Sequence, residues 1–328
     1  MVLETLPTKI RSFKELKMTT SQPPSIISRS KGCLLGLTVG DALGARFEGQ
    51  AAYWITRKYT SPQQLVENPP TKELYYTDDA QMMIGIAEAL CEDGCIQEET
   101  LCQKFVANYV PSRGYARGAR KVLKAMEEGK DYRKIASSYF EGGSYGNGSA
   151  MRVAPIGFFY HNDLEKVMEN AHISSLPTHT HPLGIEGAQL LAIAVAVATS
   201  MNEWNKELFY EKLFSYCQSQ EYRTQLEKAH KLENISELGS IGNAITALES
   251  VPTAIASFGL NPHSFTDTIG HCILIGGDTD TIAAMAGAIS GAFLGVEAIP
   301  QNLLDSLEYE GKGYYYIREL AEKLVAKM

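Results

Sequence analysis

Apolar residues recur at three-and-four spacing, or fill whole turns, in seven stretches of the chain: Ala80–Leu90, Leu101–Val110, Ala116–Glu128, Gly184–Ser200, Lys206–Cys217, Ser240–Ser250 and Thr281–Gly295. That period predicts helices with one or more faces turned inward. Ala, Leu, Met and Glu fill these stretches, and alternating β-branched runs are scarce. The expected fold is all-α, a single compact domain of many helices. No Pro/Gly/Ser-rich linker interrupts the chain after residue 30, and no fixed-period repeat is visible. The domain is therefore drawn over residues 30–328. Residues 1–29 are polar, carry Ser21, Gln22, Pro23 and Pro24, and read as a flexible tail or leader. Gly184–Ser200 and Thr281–Gly295 are rich in Ala and Gly, which lets helices approach closely and predicts that both lie at the centre.

Polar residues break the apolar pattern in a few places, all at predicted helix edges. Glu48 follows Phe47 at the end of a glycine-rich apolar segment that contains Gly40, Asp41 and Gly44. Thr77, Asp78 and Asp79 stand just before Ala80–Leu90, and Asp278, Thr279, Asp280 and Thr281 open the last apolar helix. One hydroxyl or carboxylate suffices to cap a helix N-terminus; the doubling asks for another explanation. Four carboxylates brought together repel unless cations or shared protons intervene. Hard divalent cations take oxygen ligands of this kind, so Mg²⁺, Mn²⁺ or Ca²⁺ fits better than Zn²⁺. Gly142, Gly143, Gly146 and Gly148 crowd the stretch GGSYGNGSAMR, whose backbone N–H groups can approach an anion, or which can simply turn ahead of a helix. Gly114 to Gly118 form a weaker stretch of the same type. His179 and His181 flank Thr180 beside Pro182, and Arg152 is a candidate for pairing with phosphate or with one of the acids.

Composition narrows the function. The chain has 328 residues, 45% of them hydrophobic, enough for a large core. Its formal net charge of −8 argues against a nucleic-acid binder, so no direct DNA binding is expected. The six cysteines form no zinc pattern and read as reduced thiols of an intracellular, cytoplasmic protein. A mitochondrial leader is the weaker reading of the first residues, because Glu4 and Glu15 interrupt their basic character. The small-and-apolar runs are too short or too glycine-broken for a membrane span, and a monomer is the expectation.

Taken in order, GCLLGLTVGDALGARFEG, YTDDAQM, SYGNGSAMRVAPIG, THTHPLG and GGDTDTIAAMAGAISGAFLG resemble the ADP-ribosylglycohydrolase family, from about Gly32 to about Gly295. Phe47-Glu48, RGYARGAR, Ser144-Tyr145 and the run from Gly242 to Pro252 are similar to the ADP-ribosylhydrolase 3 branch, which acts on O-linked ADP-ribose. The resemblance implies an orthogonal all-α domain and two Mg²⁺ ions, with Mn²⁺ as the alternative. It implies Thr77, Asp78, Asp79, Asp278, Asp280 and Thr281 as metal ligands, and Glu48 as the catalytic acid. It implies Gly114, Tyr115, Gly118, Ser144, Tyr145, Gly146, Asn147, His179 and Ile245 as the residues that hold ADP-ribose. The implied activity is hydrolysis of ADP-ribose from protein serine and of poly(ADP-ribose), releasing ADP-ribose. An arginine-directed hydrolase and a binding module without turnover are the alternatives.

Overall fold

A computed structural model describes residues 22–328 of the chain. Residues 1–21, most of the predicted tail, lie outside the described residues. Among the described residues there are helices and three isolated bridges but no strands, as the apolar period predicts. The first half runs α1 (Ile26–Gly44), α2 (Ala52–Thr56), α3 (Pro62–Glu67), α4 (Asp78–Asp93), α5 (Glu98–Asn108), α6 (Arg117–Glu127), α7 (Tyr132–Ser138) and α8 (Ala154–Phe159). The second half runs α9 (Leu164–Ser175), α10 (Pro182–Ser200), α11 (Lys206–Tyr216), α12 (Gln220–Lys231), α13 (Ala247–Leu260), α14 (Phe265–Leu274), α15 (Thr279–Leu294), α16 (Gln301–Ser306) and α17 (Tyr314–Lys327).

The centre is the pair α1 and α15. On α1 the residues Gly32, Gly36, Gly40 and Gly44 recur every fourth position and so share one face. On α15 Ala283, Gly287 and Gly291 do the same. The two faces meet antiparallel. A Cβ placed on Gly36 would lie 2.4 Å from the Gly287 carbonyl oxygen, and one on Gly40 would lie 2.2 Å from that of Ala283. On Gly44 it would lie 2.6 Å from Asp280 Cα. The backbones therefore touch without side chains between them, and the C-terminus of α1 is held at the N-terminus of α15. Helices α10, α13 and α14 pack on α15, and α17 packs on α1.

Arg29 fixes the other end of this pair. It is buried, and its guanidinium donates to the carbonyls of Ala198, Ala292, Phe293 and Met201. These are carbonyls at and near the ends of α10 and α15, where a cation meets both unsatisfied acceptors and the negative dipole end. The first helix thus starts at Ile26, four residues before the domain start read from the sequence.

Helix α10 is the one helix among the described residues long and apolar enough to cross a membrane, and 83% of its most apolar window is buried against other helices. The predicted helix over Ser240–Ser250 differs from the structure. A 3₁₀ turn ends at Ser240, the backbone runs irregularly to Thr246, and α13 begins at Ala247. Gly242, at φ +129°, breaks the helical path. The freed segment bonds to neighbouring loops instead: Asp278 N–H donates to Asn243 O at 2.9 Å and Asn147 N–H to Ile245 O at 3.0 Å.

Adding a methyl group at the α1–α15 contact should force the helices apart. We predict that Gly36→Ala lowers stability by about 2 kcal/mol, despite the better helix propensity of Ala. Urea unfolding followed by circular dichroism checks this; an unchanged midpoint would contradict the close contact.

Candidate active site

The end of α1 and the start of α15 each carry acid, and the loops around them are stapled together. Glu48 lies in the turn after α1. Gly49 N–H donates to Gly277 O at 2.8 Å, and Gly277 N–H returns a bond to Gln50 O at 2.9 Å. Gly276 and Gly277 have φ of +70° and +79°, a conformation that glycine adopts without strain. There is also no room for a side chain: a Cβ on Gly276 would lie 2.5 Å from Gln50 O. Asn243 clamps the same loop, its Nδ2 donating to the carbonyls of Ile275 and Gly276. As a result, one carboxylate oxygen each from Glu48, Asp278 and Asp280 lies within 4.8 Å of the others.

The second acid stretch arrives on α4, where Thr77 Oγ1 accepts from Asp79 N–H at 3.4 Å and another helix completes the capping. Asp41, buried in α1, accepts from Thr77 N–H at 2.9 Å, Thr77 Oγ1 at 2.7 Å and Ala80 N–H at 3.0 Å. Asp41 thus satisfies the donors that a first-turn acid would ordinarily take. Asp78 and Asp79 are left free to face the cavity. Asp78 N–H donates to Arg113 O, and Asp79 Oδ2 is buried with no hydrogen-bond partner. This is why the stretch has more acid than a cap needs.

Burial raises the pKa of every carboxyl here, and their mutual repulsion adds to it for most. Asp78 is pushed up to about 7 by burial and by Asp41, and Asp280 to about 9 by burial and Asp278. Asp79 is raised well above the ordinary carboxylate range by burial, Asp41 and Asp280. Asp278 is raised by burial, and Glu48, which is partly exposed, by burial and Asp278. The donor set is all oxygen, with the Thr77 and Thr281 hydroxyls beside the carboxylates at the same cavity wall. The orphaned Asp79 oxygen and the clustered anions fit hard divalent cations.

These groups line a cavity of about 410 Å³, within the range of small-molecule clefts. The glycine loop lines it too, with Ser144, Gly146, Asn147 and Gly148 in its wall. Asn147 Nδ2 donates to Asp278 Oδ2 and to Ser250 Oγ, which ties the loop to the acids. A Cβ on Gly148 would meet His179 Cε1 at 2.7 Å, so the loop lies directly on that ring. His179 is buried and its pKa is lowered to about 3, by burial first and then by Arg152. Arg152 Nη2 donates to Thr178 Oγ1 at 2.8 Å, and the same hydroxyl shares a hydrogen bond with His179 Nδ1 at 2.7 Å. Arg152 is wholly buried over the Phe105 ring, and it also donates to Ser174 O.

The same cavity has an apolar lining of Tyr139, Phe140, Ala119, Val122, Ala136 and Met151, and the exposed Ile245 lies beside the glycine loop, its carbonyl accepting from Asn147 N–H. A ligand suited to this cavity therefore combines hydroxyl-rich, anionic and flat apolar parts.

Of the residues expected from the sequence, Glu48, Thr77, Asp78, Asp79, Asp278, Asp280 and Thr281 line one cavity together with Gly114, Gly118, Ser144, Gly146, Asn147, His179 and Ile245. Tyr115 and Tyr145 lie next to that wall rather than in it. Tyr115 is buried behind it, its hydroxyl donating to Gln81 Oε1 at 2.9 Å. Tyr145 is 50% exposed, with its ring against His181. His181 accepts from Leu183 N–H and caps α10. Sequence reasoning missed Asp41, Thr178, Tyr139 and Phe140. Only Asp41 left a signal, as an acid inside an apolar run.

Residues 22–328 match the ADP-ribosylglycohydrolase family. The chain is 35% identical to ADP-ribosylhydrolase ARH3 of Mus musculus, over 86% of this chain and 88% of that protein. It is 34% identical to ADP-ribosylhydrolase ARH3 of Homo sapiens, over 91% and 93%. A solved structure titled ADP-ribosylglycohydrolase-related protein complex shares the fold with a TM-score of 0.71 at 24% identity, over 92% of this chain and 98% of that one.

The raised carboxyls have a pH signature. A carboxyl whose pKa is raised on folding stabilises fully below its unfolded value of about 4, and this stability is lost as pH rises through the folded value. With Asp78 near 7 and Asp280 near 9, the metal-free protein should melt at progressively lower temperature between pH 5 and pH 9. Added Mg²⁺ should raise Tm more at pH 8 than at pH 5. Thermal melts with EDTA or Mg²⁺ check this; a Tm indifferent to both would contradict the acid nest.

Proposed function

From the premise that the chain belongs to the ADP-ribosylglycohydrolase family and is a hydrolase acting on ADP-ribosyl conjugates, we propose that it cleaves the O-glycosidic bond between ADP-ribose and protein serine. Poly(ADP-ribose), also O-linked, is the second substrate, and ADP-ribose is the product. The observation that carries this reading is the meeting of Glu48, Asp278 and Asp280 with the Thr77-Asp78-Asp79 helix start in a single cleft. Phe47-Glu48, RGYARGAR and Ser144-Tyr145, with their resemblance to the O-linked branch, support serine over arginine.

The polarity of the cleft orients the substrate. The adenine ring suits the Tyr139 and Phe140 rings, the pyrophosphate suits the glycine loop beside the neutral His179, and the distal ribose suits the acids. An acidic protein can then hold an anionic ligand without a basic side chain at each phosphate. Thr77, Asp78, Asp79, Asp278, Asp280 and Thr281 would hold two Mg²⁺, or Mn²⁺ in their place. When bound, these ions supply positive charge that orients the ribose hydroxyls and offsets the carboxylates.

Hydrolysis breaks the bond from the anomeric carbon to the serine Oγ through an oxocarbenium-like state. A water oxygen adds to that carbon, and its proton is balanced by one delivered to the serine oxygen. Glu48 stands among the acids with a raised pKa, suited to moving that proton at its carboxyl oxygen. Asp41 touches no substrate in this scheme; it positions Thr77 and frees the α4 acids.

Glu48→Gln should reduce kcat by at least about a hundredfold and leave ADP-ribose affinity within about twofold. Near-normal turnover would refute the role. Asp280→Asn should weaken Mg²⁺ dependence and ADP-ribose binding together; an unaltered metal titration would count against it as a ligand. Release of ADP-ribose from serine-linked and arginine-linked peptides, compared side by side, tests the linkage. Preference for arginine sinks the serine reading, and binding without release identifies a module without turnover.

A further inference from the structure

Charge is unevenly spread on this acidic chain. Between residues 113 and 134 stand Arg113, Arg117, Arg120, Lys121, Lys124, Lys130, Arg133 and Lys134, against only Glu127, Glu128 and Asp131. Helix α6 buries Val122, Leu123 and Ala125, and turns Lys121 and Lys124 outward. Together with Lys130, these lysines line an open groove of about 560 Å³ that also includes Ser138 and Tyr139. Tyr139 belongs to the wall of the active-site cleft as well. The groove therefore adjoins the cleft at Tyr139.

Its charge is largely available to a ligand. Lys121 Nζ lies 4.5 Å from the Tyr139 ring centroid, and no carboxylate pairs with it among the described residues. Glu128 is the single acid in the groove wall, and Lys124 and Lys130 both pair with it, at 3.7 and 2.5 Å. Both lysines are well exposed, so these pairs are weak and easily exchanged for phosphate. The groove keeps a net positive charge.

The position gives the charge a meaning that rests on the reading of the cleft above. With the distal ribose at the acids and adenine at Tyr139, the adenosine half of the ligand is the half nearer the groove. In poly(ADP-ribose) the next unit is attached at the adenosine ribose, and its pyrophosphate follows one sugar later. We propose that Lys121, Lys124 and Lys130 bind the pyrophosphate of this neighbouring unit, so that an internal unit of the polymer can occupy the cleft and chains are cut within their length as well as at their ends. The step is the same hydrolysis: one glycosidic C–O bond breaks, one water adds, and two shorter chains result.

The test uses the full chain with Lys124→Glu/Lys130→Glu, and a second variant that adds Lys121→Glu. Binding of a purified oligo(ADP-ribose) of about ten units is compared with ADP-ribose at low and high NaCl, and cleavage products are sized by gel. The wild type should bind the oligomer more tightly than ADP-ribose, with an advantage that shrinks as salt rises, and should produce oligomers of intermediate length early. The double variant should bind the oligomer about tenfold more weakly, the loss expected for about two phosphate contacts. Its release of a single ADP-ribose from a serine-linked peptide should stay within about twofold. Equal affinity of the wild type for oligomer and ADP-ribose, or an unchanged oligomer affinity in the variants, would overturn the proposal. So would equally tight binding of a single-stranded RNA of the same charge, which would mark a general polyanion surface. Failure of the wild type to hydrolyse any conjugate would sink the reading of the cleft, while the binding comparison would still decide the groove.

Discussion

The bare backbone contact between α1 and α15 is the constraint on which the site depends. Glycine at every fourth position of α1, meeting Gly287, Gly291 and Ala283, removes the side chains that normally keep helices apart. Common helix pairs sit about 8–10 Å apart; this pair is pressed together at its glycines. Because the helices run antiparallel, the contact sets the end of one at the start of the other. Gly44 meets Asp280, and Glu48 follows four residues later. Arg29 anchors the opposite end by collecting carbonyls at the ends of α10 and α15.

The same helix α1 also recruits α4. Asp41 uses its carboxylate to satisfy backbone donors of α4, so the acids of that helix are spared from capping. A buried carboxylate with three donors is a stable fixture, whereas Asp79, with an oxygen left unpaired, is not at rest without a partner. The contrast between two buried acids a few residues apart in space separates positioning from binding. The family's dependence on metal is in keeping with it.

Much of this was legible in the sequence. The all-α fold follows from the period of the apolar residues, and the acid pairs announce themselves as polar excess at helix starts. Helix α1 is not among the helices the period predicts, because its repeated glycines read as breakers when each is in fact a point of contact. That can be known only with α15 in view. Asp41 is visible as an acid in an apolar run, yet its partner lies on another helix. Tyr139 and Phe140 follow the short, polar helix α7, and no pattern there points to a ligand.

The cleft brings acids, glycine amides and aromatic rings into one wall. Everything chemical in this account requires that cations sit among the carboxylates of three chain segments. Crystals grown with Mn²⁺ and ADP-ribose, measured for anomalous scattering at the manganese edge, test this most directly. The account predicts two peaks, bracketed by Thr77, Asp78 and Asp79 on one side and Asp278, Asp280 and Thr281 on the other. ADP-ribose bound in the cleft with no anomalous peak among these residues would contradict it.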